Sequence, residues 1–191
     1  LRCATLDATR FTDAANFTRL YARLHWDNIS GTFEDDQLEQ ELFSKWRYEI
    51  EDKVRSVRAA LPKSEFLHVA TELYEGGGHT RLLDKLAGGL TGKGRQALLL
   101  TRPSRSKAPI RTAMPQEALR LPPLMRVAQI VADSRQAGTT FLHIHPDDAE
   151  AALAARLVVT EGGKVLFVNH ADHVFSLGLG AASTVLEICQ T

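Results

Sequence analysis

Apolar positions along the chain fall into two textures. Between residues 13 and 61 they recur every three or four residues. Phe17, Leu20, Tyr21 and Leu24 come first; after the polar turn Ser30-Gly31-Thr32 follow Leu38, Leu42, Trp46, Ile50, Val54, Val57 and Leu61. One apolar stripe per segment, with Glu39, Lys45, Glu49 and Lys53 off the second stripe, predicts a pair of amphipathic helices. Thr12 or Asp13 is the expected cap of the first, and Pro62 the expected end of the second. Both tryptophans, Trp26 and Trp46, read as core residues.

From residue 64 the texture changes. Short apolar runs at Phe66 to Ala70, Ala97 to Leu100, Thr140 to Ile144, Val165 to Val168 and Thr184 to Ile188 lack polar alternation, as strands covered on both faces do. Helical patterns lie between them at His79 to Leu90, Leu124 to Gln136 and Asp147 to Leu157. Strand and helix in alternation imply right-handed crossovers and a parallel sheet. The expected fold class is therefore α/β: a Rossmann-like, doubly wound parallel sheet of about five strands over residues 64–191. An N-terminal helical segment over 1–63 packs beside it. Residues 102–123 read as one irregular stretch, with Arg102, Arg105, Lys107 and Arg111 ahead of Glu117, the first acid in it. Long connections of this kind are usually solvated loops; the alternative is a basic loop over an anionic ligand.

Composition narrows the function classes. The chain has 191 residues, 44% of them hydrophobic, and its 23 Lys and Arg balance 23 Asp and Glu. A zero balance supplies no general field for nucleic acid or an acidic membrane. No apolar run approaches the ~20 residues of a membrane span, and the start Leu1-Arg2-Cys3-Ala4 has no signal-peptide core. Two cysteines, Cys3 and Cys189, are too few for a disulfide scaffold, so a cytoplasmic location is expected. The two amphipathic helices leave room for a homo-oligomer.

Ligands of open α/β sheets bind beyond the carboxyl ends of the strands, so the residues just after each run carry the chemistry. After the first run comes Glu75-Gly76-Gly77-Gly78-His79-Thr80-Arg81, opening a helix. Glycines admit close approach, and a helix start offers free N–H groups and partial positive charge. The dinucleotide pattern G-x-G-x-x-G would need glycine where Arg81 stands, and Gly92-Lys93-Gly94 lacks the Ser or Thr and the helix of a P-loop. After the third run stand His143 and His145, on one face by strand alternation, with His145 nearer the carboxyl end. Asp147 and Asp148 begin the next helix, where acids suit the dipole. After the fourth run comes Asn169-His170-Ala171-Asp172-His173, two imidazoles and a carboxylate suited to proton exchange near neutral pH.

Together, Glu75 to Arg81 and Asn169-His170-Ala171-Asp172-His173-Val174-Phe175, with Leu177-Gly178 behind, resemble two segments of the N-terminal domain of GT-B glycosyltransferases, notably the family 4-like group. The first resembles the glycine loop after the first strand, the second the histidine-bearing strand end. The resemblance covers 64–191. It implies transfer of a sugar from a nucleotide-sugar donor to a sugar, lipid or protein acceptor, with no separate cofactor and no metal. Gly77, Gly78, His79, Thr80 and Arg81 would lie at the donor diphosphate. His170 would face the reacting sugar, Asp172 and His173 would position it or contact the acceptor, and His145 and Asn169 would bind substrate. It further implies a second domain holding most of the donor; this chain corresponds to the acceptor-side half alone, expected to be inactive by itself.

Two other classes stay open on the residues. His143, His145, His170, Asp172 and His173 are all ligand types for a metal-dependent hydrolase. A doubly wound module binding a phosphorylated ligand or a partner protein without catalysis is the other.

Overall fold

A computed structural model describes residues 1–28, 30–75, 78–104, 110–170 and 174–187. Three helices lead: α1 (Arg2–Asp7), α2 (Phe11–Asp27) and α3 (Asp36–Ser56). Then come β1 (Ser64–Ala70), α4 (Gly78–Gly89), β2 (Gln96–Leu100), β3 (Gln116–Ala118), α5 (Pro123–Ser134), β4 (Ala137–His143), α6 (Ala149–Thr160), β5 (Val165–Asn169) and β6 (Thr184–Glu187). All six strands are parallel, in the order β3-β2-β1-β4-β5-β6. The chain winds outward from β1 to β3, then returns to place β4 on the other side of β1. This is a Rossmann-like doubly wound sheet, with its switch point between β1 and β4.

The sheet has one strand more than its apolar runs number. Strand β3 lies inside the stretch expected to be irregular, because Gln116 and Glu117 are exposed and Ala118 half-buried. It exists through its pairing, Leu98 to Gln116 and Leu100 to Ala118, and an edge strand needs no apolar pattern of its own. Four helical details also differ from expectation, the first being that α2 seats Phe11, Ala14, Ala15, Thr18 and Ala22 while Leu20 and Leu24 of the expected stripe are exposed. Helix α1 precedes the pair. Helix α2 is preceded at its cap position by Arg10, an extended residue without a side-chain cap, while Asp13 lies in the first turn and pairs with Arg10 at 2.7 Å. Helix α3, capped by Asp35 accepting from the Leu38 N–H at 2.9 Å, stops at Ser56 rather than at Pro62. Val57 is already extended, and the Leu61 N–H is donated at 2.8 Å to Asp133 on α5, so residues 57–63 dock the chain instead of continuing the helix.

Strand alternation sorts the two faces. Leu67, Val69, Leu99, Leu142 and Phe167 share a core with Leu42, Trp46, Ile50 and Val54 of α3, Val127 and Ile130 of α5, and Leu153 and Leu157 of α6. Each such side chain contributes about 1.5–3 kcal/mol on burial. Ala70, Leu98 and Leu100 pack instead on Leu73 and Leu83, the latter on α4. The leading helices are thus continuous with the α/β core. Buried ions reinforce the seam: Arg19 of α2 and Arg126 of α5 both reach Glu150 of α6, and Arg156 of α6 reaches Asp36 and Glu39 of α3.

Candidate functional site

The residues following β1, β2, β4 and β5 gather at the carboxyl edge of the sheet. Thr71 follows β1, Thr101 follows β2, and both hydroxyls donate to one oxygen of Asp148, at 2.7 and 2.5 Å. The other oxygen caps α6 by accepting from the Ala151 N–H at 3.2 Å. Burial would raise the Asp148 carboxyl, but Arg102, the two hydroxyls and the Ala151 N–H together hold it below the ordinary carboxylate value. Asp148 therefore starts its helix, as its position in the sequence predicts, and also ties the ends of β1 and β2 to it. Thr71 in turn accepts from the His145 N–H at 2.8 Å.

A chain of imidazoles runs from the middle of the sheet to this edge. Gln96 donates its amide N–H to Ala87 O at 3.0 Å, which aims Oε1 at His68 Nε2, 3.0 Å away. His68 therefore donates from Nε2 and accepts at Nδ1 from His143 Nε2, 3.1 Å away. His79 Nε2 donates to the backbone oxygen of His143 at 2.6 Å. Its Nδ1 is left as a buried lone pair without a partner among the described residues. The His79 ring lies 4.7 Å from that of His170 and 5.4 Å from that of His145. His170 directs Nδ1 at Val168 O at 3.4 Å, which makes Nε2 its acceptor nitrogen.

Burial, and then the neighbouring His170 and His145, push His79 down to about 4. Burial is also the leading cause that lowers His143, well below its ordinary value, as well as His68, His145 and His170. These rings are neutral near pH 7, and they offer acceptor nitrogens rather than positive charge.

The structure sorts the expected site residues. His79, His145 and His170 come together. Gly78 opens α4 with free space around it: a Cβ there would meet nothing within 4 Å, so packing within the described residues does not demand glycine. Thr80 is buried, and its hydroxyl accepts from the Tyr74 N–H at 2.8 Å, tying Tyr74 to the first turn of α4. Arg81 is exposed on the first turn of α4. Asn169 turns toward the outer edge, donating to both carboxylate oxygens of Glu187 on β6 at 3.1 and 3.0 Å. Gly77, Asp172 and His173 lie outside the described residues. His143 is fully buried among rings while His145 is half-buried at a cleft; β4 ends at His143, so strand alternation no longer governs His145.

That cleft, about 740 Å³, lies at the carboxyl ends of β1, β2 and β4. Arg102 lines it and pairs with Asp147 at 3.3 Å; of the other basic residues of its stretch, Arg111 pairs with Asp84 at 3.9 Å. Arg105 and Lys107 lie outside the described residues.

Three contributors are invisible to sequence reasoning. His68 hides inside an apolar run. Tyr74 lies flat on His145, with ring centroids 5.3 Å apart and planes at 11°. Trp26, expected in the core, is 37% exposed and lines the cleft from the end of α2, whereas Trp46 is buried edge-on to Phe11. A threonine directly after each of two strands is the one local signal that would have flagged the Asp148 network.

Among the described residues no helix is long and apolar enough to cross a membrane, and no three His, Cys, Asp or Glu side chains gather as a metal-binding group. Compared with protein-family models, with curated proteins and with solved structures, the chain matches none.

Proposed function

We propose that this chain is the acceptor-side half of a GT-B-type glycosyltransferase, which moves a sugar from a nucleotide-sugar to an acceptor. One observation carries the proposal. The two segments that bear the resemblance, the start of α4 and the end of β5, meet at the switch-point edge of the sheet, with His79 and His170 at 4.7 Å. Helix α4 is twelve residues long, and its leading N–H groups together with Arg81 suit the negative charge of a donor diphosphate. The space at Gly78 lets that group approach the backbone. The acceptor nitrogen of His170 accepts from a sugar hydroxyl without adding charge, with the neutral His79 ring packed behind it.

The test is nucleoside diphosphate release by the full-length enzyme with a panel of nucleotide-sugars. Donor-dependent release is expected, falling about 100-fold in His170→Ala. Absence of release from every donor would count against sugar transfer.

Metal-dependent hydrolysis is the second reading, favoured by Nδ1 of His79, which lacks a partner among the described residues and lies beside His170, since neutral imidazole nitrogens bind zinc. Stoichiometric metal in protein purified without chelators or metal-affinity resin would select it over sugar transfer.

A further inference from the structure

We infer that the cleft at the β1–β4 switch point binds a neutral carbohydrate, and, resting on the sugar-transfer reading, that this glycan is the acceptor. The volume, about 740 Å³, falls within the roughly 300–1,000 Å³ of small-ligand sites. Two large aromatic rings are left showing in it, Trp26 at 37% and Tyr74 at 41% exposed. Exposed aromatics scattered singly need no explanation, but a pair lining one concave site does.

Tyr74 is a braced platform. One face is covered by the parallel ring of His145, and its hydroxyl donates to Glu72 at 2.7 Å. A ring held on one face and at its edge, yet 41% exposed, presents its other face to the cleft. Aromatic faces carry negative quadrupole charge, and the C–H face of a pyranose complements it.

The polar lining is charge-balanced. Arg23 and Arg102 stand against Glu72 and Asp147, and Arg102 is already engaged with Asp147 at 3.3 Å. A phosphate or carboxylate ligand would compete with Asp147 for Arg102 and meet the charges of Asp147 and Glu72; vicinal hydroxyls bridge the pair, donating to the carboxylate and accepting from the guanidinium. A flat apolar face flanked by adjacent hydroxyls is the description of a sugar ring. A lipid chain would cover the charged lining of the cleft without hydrogen-bonding to it.

The experiment is a titration followed by the fluorescence of Trp26, in a Trp46→Phe background so that one tryptophan reports. The probes are neutral methyl glucosides, galactosides, mannosides and N-acetylglucosaminides of both anomeric configurations, with glucose 6-phosphate and glucuronate as charged counterparts. Saturable change with at least one neutral glycoside is expected. Tyr74→Ala is expected to weaken it about ten-fold, or about 1.4 kcal/mol, and charged counterparts to bind no tighter. The same glycoside, followed by ligand-observed NMR, is expected to lose binding in Trp26→Ala; both substituted rings are surface residues, and circular dichroism checks the fold.

No response to any neutral glycoside, tighter binding of the charged sugars, or binding that survives both substitutions would overturn the proposal. The two levels separate cleanly. Donor-dependent transfer to a lipid or peptide, with no glycoside bound in the cleft, removes the glycan and keeps sugar transfer. Glycoside binding that depends on Trp26 and Tyr74, with no release from any nucleotide-sugar, keeps the cleft and removes its role as acceptor site.

Discussion

Thr71 donates its hydroxyl proton to Asp148 at 2.7 Å and accepts the His145 N–H at 2.8 Å, so one side chain joins the end of β1 to the cap of α6 and to the histidine of the cleft. All three groups sit where a lost partner cannot be replaced fully by water, since Thr71 and Asp148 are buried. Thr71→Val keeps the shape and removes both bonds. It is expected to cost about 1–3 kcal/mol, or about 2–4 °C in Tm per kcal/mol for a chain of this size. Thr71→Ser is expected to recover most of the loss. Equal losses in the two variants, measured by thermal unfolding, would show that packing and not the hydroxyl is what matters.

Neutral imidazoles make the protein acid-sensitive. His68, His79, His143, His145 and His170 all titrate below the ordinary 6.5 in the folded chain, His79 at about 4. Between about 4 and 6.5 the unfolded chain therefore binds more protons than the folded one, and stability rises with pH through that window. The stabilisation is complete above 6.5 and is lost as pH falls toward the folded values. Tm is expected to fall steadily from pH 7 to pH 5, with a shallower slope in His79→Gln. A flat profile would contradict the neutral, buried state of these rings.

Glu39 works in the opposite direction. It is 2% exposed, its carboxylate accepts the Gly178 N–H at 2.9 Å, and burial pushes it up to about 7 against the opposing pull of that bond and of Arg156. Here the folded state binds the extra proton between 4.5 and 7, so this contribution to stability is lost as pH rises through that range. Glu39→Gln keeps the acceptor for Gly178 and removes the titration. Its stability relative to the parent is expected to improve from pH 5 to pH 8, read by denaturant unfolding at each pH. A constant difference would place the Glu39 titration outside this range.

On the sugar-transfer proposal, two residues separate binding from chemistry. Arg81 is exposed at the start of α4 and meets the diphosphate in both ground and transition states. Arg81→Ala is then expected to raise KM for the nucleotide-sugar about ten-fold with kcat little changed. His170→Ala is expected to lower kcat about 100-fold. Steady-state kinetics of the full-length enzyme reads both, and unaltered kinetics in the second variant would remove His170 from the site.

Gly78→Ala isolates the role of space. A Cβ there meets nothing within 4 Å, so stability should stay within about 0.5 kcal/mol of the parent. Nucleotide-sugar binding should weaken, because the methyl group occupies the approach to the helix start. Unchanged binding in a calorimetric titration would move the diphosphate away from Gly78.

The apolar runs and the three- and four-residue periodicities determine the alternation of strands and helices by themselves. A strand covered on both faces must be apolar throughout, and a helix on a core must be apolar along one stripe. Local chemistry also places Asp148 at a helix start and Gly78 at the opening of α4. Pairing decides the rest. Strand β3 has no apolar signature, because an edge strand is defined by the neighbour it bonds to. His68 looks like one polar residue in a run until β4 places His143 3.1 Å from its ring nitrogen. Trp26 has the composition of a core residue, and only the seat of α2 above the sheet edge turns it toward a cleft. Thr71 and Asp148, or His79 and His170, are distant in sequence, and no local pattern encodes their meeting. The order β3-β2-β1-β4-β5-β6 brings their strand ends to one edge, because side-chain period specifies which face is buried but not which strand lies alongside.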